Sequence, residues 1–312
     1  MSVSASCDKS LTLRETDPAV QAARRAEVAL FRVYGLTPKE NYLDMDFGRL
    51  RVLTFGSGEP LLLVPGNTGD VFPLASLIAE LTGRMVIAVN RPGGGLSEGM
   101  DHRRVNIRNF AVDTLVAVLD AFDLQKVPVV GHSMGAHWSL WLALDRPERV
   151  SHLITMGNPG NVMLDQLPKA LALMGKSPWN RWLLKLIAPR SAQGAKSLFK
   201  MMGMDAAGIA RLAPELLDCY YRFCKLPHYV TSSTSLMENL APRLGADELA
   251  TLQAPVMMLW GSCDTFASVD KARQIADAMP DATLLTMEGA SHLPWLGAEH
   301  ECGARIREFT TA

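Results

Sequence analysis

The sequence has no long block of one charge sign. Its 31 Lys and Arg are matched by 32 Asp and Glu, for a formal net charge of -1. That balance lacks the basic footprint that a phosphate backbone or an anionic membrane attracts, so no nucleic-acid partner is expected. No run approaches the ~18 consecutive apolar residues of a bilayer-crossing helix, so no membrane span is expected. The opening, Met1 to Asp17, is polar and carries both signs of charge, without the apolar centre of a signal peptide. A soluble, cytoplasmic setting is the expectation. Cysteine is scarce: Cys7, Cys219, Cys224, Cys263 and Cys302 are odd in number and irregularly spaced. They fit neither a disulfide framework nor a zinc pattern, and free thiols are expected, with no metal. Internal repeats and low-complexity linkers are absent as well.

What the chain does contain is apolar residue, 48% of 312, enough for a sizeable interior. Asp17-Pro18 reads as the capped start of a helix running through Tyr34, stopped by Gly35. "NYLDMDFGRLRVLTFGSG" reads as two strands folded about Gly48-Arg49. The runs "LLLVPG", "MVIAVN", "VPVVGHS", "HLITMGN" and "VMMLWGS" have the continuous apolar character of strands buried on both faces. Helical patterns lie between them at Phe72 to Leu81, Val105 to Phe122 and Met134 to Leu144. Such alternation predicts an α/β fold, a mostly parallel sheet flanked by helices.

From about Pro159 to Leu252 the rhythm changes to successive helical stretches without a strand, among them Ser177 to Ile187, Ser191 to Met202, Pro214 to Leu226 and Pro227 to Leu240. In the first, Ser177-Pro178 forms the start, Arg181 and Lys185 are expected to face water, and Trp179, Trp182, Leu183 and Leu186 to face inward. Strands and helices then resume, with a helix near Asp270 to Met279, the strand "ATLLTMEG" and a closing helix from Ala298 to Phe309. The expected organisation is a tail and helical extension over 1–40, a core over 41–160 and 247–312, and an all-helical insertion over 161–246.

Chemistry concentrates where a strand turns into a helix, at "VVGHSMGAHWSLWLAL". A serine at the carboxyl end of a parallel strand can present its hydroxyl above the sheet only through a tight turn. Side chains two residues to either side would strike the neighbouring chain, so Gly131 and Gly135 provide clearance around Ser133. The helix that follows brings unpaired amides, and the Met134 N–H is placed to hold an oxyanion.

Four motifs in order, "VPGNTG", "NRPGGGLS", "GHSMG", and "WGSCD" with "GASHLPWL", resemble those of the α/β-hydrolase superfamily, over nearly all of Asn41 to Phe309. The resemblance implies a Ser-Asp-His serine hydrolase with its helical insertion after strand six acting as a cap over the site. It assigns the second oxyanion donor to Asn67, in the loop where Gly66 lets backbone approach a ligand. Pro65 departs from the family, which often has histidine there, as does Gly297, where the family often has an acid. The Asn67 side chain either bonds substrate or closes a turn of its own.

Serine needs a base, and His292, just past a strand in a loop opened by Gly289, is the candidate. His132 adjoins the nucleophile and is expected to point away from it; His102 and His300 are expected at the surface. The imidazole needs a carboxylate to hold its tautomer. Asp264 leaves the sheet at the same edge as Ser133, with Asp270 as the fallback. Gly66, His132, His228 and Trp295 are the candidate substrate-binding residues, with a capping or surface role as the other reading of His228. The insertion's methionines, Met163, Met174, Met201, Met202, Met204 and Met237, either shape a pocket for a hydrophobic acyl or ring group or pack the insertion against itself. Cys263 is expected to be a packing residue. The N-terminal helix either covers the insertion or packs against a second copy in a homodimer.

These residues support hydrolysis of a carboxylic ester, thioester or lactone through an acyl-enzyme on Ser133, without a cofactor. The same site is open to carbon–carbon bond hydrolysis, acyl transfer, perhydrolysis or lyase chemistry, and a non-catalytic binding protein is the third class.

Overall fold

The computed structural model describes residues 11–163, 175, 179–239 and 242–311. Expectations concerning Cys7, Met174, the Ser177-Pro178 start and Leu240 lie outside the described residues. Eight strands form one sheet: β1 (Lys39–Met45), β2 (Gly48–Phe55), β3 (Glu59–Val64), β4 (Arg84–Val89), β5 (Val127–His132), β6 (Val150–Met156), β7 (Val256–Gly261) and β8 (Ala282–Met287). Their order is β1-β2-β4-β3-β5-β6-β7-β8. β2 runs antiparallel to β1 and β4, and the remaining pairs are parallel. The hairpin turns at Asp46-Phe47, because Met45 pairs with Gly48 and Gly48 already opens β2. The expected turn at Gly48-Arg49 is therefore two residues late.

The continuous apolar runs are explained by burial on both faces of the sheet. In β3, Leu61 and Leu63 join one apolar layer, and Leu62 and Val64 join the other. The first layer is roofed by α1 (Pro18–Val33), α2 (Ala75–Glu80) and α12 (Glu299–Phe309); the second by α3 (Ile107–Ala121), α4 (Met134–Asp145) and α11 (Val269–Asp277). Fully burying each such aliphatic side chain is worth ~1.5–3 kcal/mol, so a polar substitution on either face of β3 is costly.

Between β6 and β7 the described residues form helices: α5 (Trp179–Ile187), α6 (Lys196–Met201), α7 (Ala206–Arg211), α8 (Pro214–Phe223), α9 (Tyr229–Glu238) and α10 (Ala246–Leu249). The two ends of this insertion meet in an isolated parallel bridge between Val162 and Leu244. The Met163 N–H donates to the Leu244 carbonyl at 2.8 Å, and the Leu244 N–H to the Asn161 carbonyl at 3.1 Å. The expected helix from Ser191 to Met202 is instead a 3-10 turn, Gln193–Ala195, followed by the short α6.

Three orientations differ from expectation. α5 buries Asn180 and Leu184 and leaves Trp179, Trp182, Leu186 and Ile187 in water. The Asn180 amide donates to Glu238 on α9 at 2.8 Å, on the side of the helix that also buries Leu184. His102 is buried rather than superficial, because α9 covers it and Ser235 Oγ accepts its backbone N–H at 3.1 Å. Cys263 is exposed rather than packed.

α1 starts where expected, with Asp17 accepting the Ala19 N–H at 2.8 Å. Its Ala23, Leu30 and Phe31 share the apolar layer of Leu216, Leu217 and Phe223 on α8, so it lies against the insertion of its own chain. One buried ion pair ties it to the sheet. Arg51 on β2 donates to Glu27 on α1 through both guanidinium ends, at 2.7 and 3.0 Å, and to Asn90 at 3.1 Å. Glu40 is its further partner, reached from Nε.

Removing one partner of a buried pair strands the other charge, which costs ~3–5 kcal/mol. Glu27→Ala is expected to lower the unfolding free energy by about 3 kcal/mol, the remaining contacts to Glu40 and Asn90 softening the loss. Urea denaturation measures it, and an unchanged midpoint would refute the assignment.

Candidate active site

β5 ends at His132, α4 begins at Met134, and Ser133 sits between them at φ 51° and ψ -121°. This positive φ is strained for a non-glycine residue and is held by the Ser133 N–H bond to the Met156 carbonyl at 3.0 Å and the His137 N–H bond to the Ser133 carbonyl at 3.1 Å. Clearance is as tight as the spacing implied. A Cβ on Gly131 would lie 2.5 Å from Ala136 Cα, and one on Gly135 would collide with the Val64 and Pro65 carbonyls.

Two neighbouring strand ends bring the other groups. Asp264 follows β7 in a turn closed by its own N–H to the Gly261 carbonyl at 3.1 Å. His292 follows β8 and is tied by its N–H to the Met202 carbonyl of the insertion at 2.9 Å. The side chains meet in a line: His292 Nε2 lies 2.9 Å from Ser133 Oγ, and His292 Nδ1 lies 2.8 Å from Asp264 Oδ2. A carboxylate only accepts, so Nδ1 carries the proton and Nε2 is left to accept from the serine hydroxyl.

Fixed donors hold each member. Asp264 also accepts the Asn158 N–H at 3.1 Å and the Phe266 N–H at 2.8 Å. The imidazole packs on the rings of Phe266, 4.5 Å away by centroid, and His132, 5.0 Å away. Asp270, the fallback acid, is exposed on α11 and pairs with Arg273 there.

The remaining candidates divide. Gly66 is part of the site, since a Cβ on it would lie 2.7 Å from His132 Nδ1 and 3.3 Å from Ser133 Cβ. Asn67 is exposed, and its side-chain amide approaches the Met237 sulfur of the insertion at 3.8 Å. Among the described residues, the backbone amides of Asn67 and Met134 make no hydrogen bond. His132 points away from the serine, as expected, and its Nε2 contacts the His292 carbonyl at 3.1 Å. Trp295 is wholly buried, edge-on to His132 with centroids 4.8 Å apart, and its indole N–H donates to the Pro73 carbonyl at 3.3 Å. Both rings are buried, His132 against the imidazole and Trp295 against His132. His228 is buried against Gly99, with no hydrogen bond to the Ser133–His292–Asp264 line.

Sequence reasoning missed Asn158, which reaches Asp264 through its backbone N–H, and the buried Arg91 and Asp70 behind the loop after β3. Arg91, buried at the end of "MVIAVNR", donates to the Pro65 carbonyl at 3.0 Å and to the Gly66 carbonyl. A charged residue closing an apolar strand was the available signal. Burial pushes the Asp70 carboxyl up to about 7, opposed by bonds from Thr68 and Gly95, and pushes Arg91 down to about 9 with Asp70 opposing. Burial likewise pushes His137 and His228 each down to about 4, so both are neutral near pH 7.

A mostly parallel sheet of this order, carrying serine, histidine and carboxylate at the ends of β5, β8 and β7, defines the α/β class of hydrolase-like folds, with the serine at a strand-to-helix turn. The family model for the alpha/beta hydrolase fold matches residues 59–297, and the chain belongs to that family. It is 27% identical over 269 residues to a 2-hydroxy-6-oxononadienedioate/2-hydroxy-6-oxononatrienedioate hydrolase of Comamonas testosteroni, covering 81% of this chain and 87% of that one. It is also 27% identical over 259 residues to the dihydrolipoyllysine-residue acetyltransferase component of an acetoin cleaving system of Pseudomonas putida. That match covers 81% of this chain and 63% of the relative's length. Among solved structures, naproxen esterase from Bacillus subtilis superposes with a TM-score of 0.73 at 16% identity, covering 95% of this chain and 99% of that one.

Because the folded Asp70 pKa lies above the unfolded carboxyl value, its contribution to stability is present below about pH 4 and lost as pH rises through about 7. Asp70→Asn keeps the shape and removes the ionisation. It is expected to stabilise the protein by about 2 kcal/mol at pH 8, with the gain vanishing towards pH 4. Chemical denaturation at the two pH values measures it.

Proposed function

We propose that the protein is a serine hydrolase that cleaves a carboxylic ester, thioester or lactone bearing an apolar acyl or ring group. The observation that carries this reading is the unbroken line from Ser133 Oγ through His292 to Asp264, with hydrogen-bond distances at both joints. In the first step His292 Nε2 takes the hydroxyl proton as Ser133 Oγ attacks the carbonyl carbon. Asp264 stabilises the imidazolium and keeps its orientation. The unpaired amides of Asn67 and Met134 receive the oxyanion, which strengthens their bonds only as charge develops. The imidazolium then protonates the leaving oxygen or sulfur, the acyl group remains on Ser133, and a water deprotonated by His292 releases the acid.

The helical insertion acts in this reading as a cap. Met237 beside Asn67 offers an adaptable apolar wall, which favours a hydrophobic small molecule. The chain works in the cytoplasm, with no resident metal or organic cofactor, since side chains and amides carry each step.

One observation favours a second reading, carbon–carbon bond hydrolysis. The Comamonas relative is named for hydrolysis of a 2-hydroxy-6-oxo-dienedioate. That compound contains no ester, so its hydrolysis must break a carbon–carbon bond next to the 6-oxo group. The same serine, histidine and oxyanion donors can act on that ketone, with a carbanion rather than an alkoxide as leaving group.

A fluorophosphonate probe is expected to label wild-type protein at Ser133 and to leave Ser133→Ala unlabelled, as read by intact mass; an unlabelled wild type would instead indicate a binding protein. Asp264→Asn is expected to lower kcat by about 10⁴ without shifting the thermal midpoint, because the imidazole then holds the wrong tautomer. Near-normal turnover in that variant would remove Asp264 from the site. Aryl esters of graded acyl length, run beside a 2-hydroxy-6-oxo-dienoate, separate the two chemistries. Ester turnover is expected to dominate, and bleaching of the dienoate without ester turnover would transfer the assignment to carbon–carbon hydrolysis.

A further inference from the structure

Seven large hydrophobic side chains are prominently exposed in the described residues, and five of them, Trp179, Trp182, Leu186, Ile187 and Met201, fall between Trp179 and Met204. The exposures are high for such residues: 67% for Trp179, 63% for Trp182 and 49% for Leu186. At 100° per residue, Trp179, Trp182, Leu183, Leu186 and Ile187 occupy one side of α5, while the buried Asn180 and Leu184 occupy the side turned to α9. The rotation is secured from beneath by Asn180 on Glu238, at 2.8 Å, and by Arg181 on Thr231, at 2.9 Å. Exposing two indoles in water is unfavourable, so this face has a partner in function.

Charge says which. Over the same stretch the chain carries Arg181, Lys185, Arg190, Lys196 and Lys200, and all 32 of its acidic residues lie elsewhere. The whole-chain neutrality that argued against an anionic partner is thus an average over a segment of one sign and a remainder of the other. Lys185 borders the apolar stripe along one flank of the helix, the placement at which a basic side chain meets a phosphate while its neighbour enters the acyl region. Tryptophan is the residue that favours the depth of lipid headgroups, having an apolar ring and one N–H to leave in the wet layer.

We propose that α5 is a membrane-docking face that lays the protein on an anionic lipid surface, the Trp179 and Trp182 rings at headgroup depth and Lys185 against the phosphates. The attachment is peripheral: α5 is nine residues, and no described helix is long and apolar enough to cross a bilayer. Protein docking of this kind is reversible and weakens with salt, since its electrostatic part is screened. The inference stands independently of the reaction assigned to Ser133.

The test is co-sedimentation of the full chain with sucrose-loaded vesicles of phosphatidylcholine alone and of phosphatidylcholine mixed with phosphatidylglycerol. Wild type is expected to sediment with the mixed vesicles, several-fold less with the neutral ones, and less again as salt is raised. The pair Trp179→Ser and Trp182→Ser is expected to reduce partition at least about tenfold, with an unchanged thermal midpoint because both rings are already in water. Lys185→Glu is expected to reduce binding to the mixed vesicles by about fivefold or more and leave the neutral ones unaffected. Absence of sedimentation with either vesicle overturns the proposal, as does binding that survives the double substitution. Concentration-dependent dimerisation by light scattering, abolished by that substitution in a protein that ignores vesicles, also overturns it and assigns the face to a second copy of the chain.

Discussion

The imidazole of His292 can reach a hydroxyl with one nitrogen and a carboxylate with the other only if the ends of β5, β7 and β8 are held in register at one edge of the sheet. Parallel pairing supplies that register. Each of these strands points its carboxyl end the same way, so residues more than a hundred positions apart in the chain emerge side by side. The resulting distances of 2.8 and 2.9 Å leave little slack. A shift of one strand by a single residue would turn its side chains to the opposite face and break the line.

Backbone groups, more than side chains, hold the three members still. The Asp264 carboxylate is fixed by two amides besides the histidine, and the His292 carbonyl is touched by His132 while its N–H is taken by Met202. The last bond comes from the helical insertion, and Thr265, beside the acid, donates to the neighbouring Met201 carbonyl at 2.7 Å. The insertion is thus fastened to the loops of both Asp264 and His292. Beneath the loop after β3, Arg91 ties down the Pro65 and Gly66 carbonyls and is itself stacked over Trp138, 4.8 Å from the ring centroid. In the proposed reaction these contacts keep the amide donors aimed before charge appears, which is where preorganisation lowers a barrier.

Much of this was legible because local rules agree with the global fold. The strands announce themselves by apolar runs, since each is buried on both faces. The elbow is marked by Gly131 and Gly135, since no side chain fits against Ala136 or the Val64 carbonyl. The Asp17 cap, the positive φ of Gly35 and the chain order of serine, acid and histidine read directly. Other features were hidden for identifiable reasons. Asn158 contributes an amide that every non-proline residue possesses. His102 looked superficial because its burial is made by α9, over 130 residues away. Trp295 sits in a motif near the histidine, yet its buried indole N–H is taken by the Pro73 carbonyl, more than 200 residues earlier. The helical period of α5 was correct, but period alone does not say which side of an amphipathic helix faces the protein.

The sequence by itself determined the alternation of strand and helix, the strained corner at Ser133 and the order in which the three chemical groups appear, because each depends on neighbours within a few residues. Tertiary structure decided how those groups close into one line, which buried charges pair, as Arg51 does with Glu27, and which way the tryptophans of α5 turn. Those outcomes depend on contacts between segments far apart in the chain, and no local pattern encodes which surface a helix meets, as when α5 turns Asn180 and Leu184 inward and its tryptophans outward.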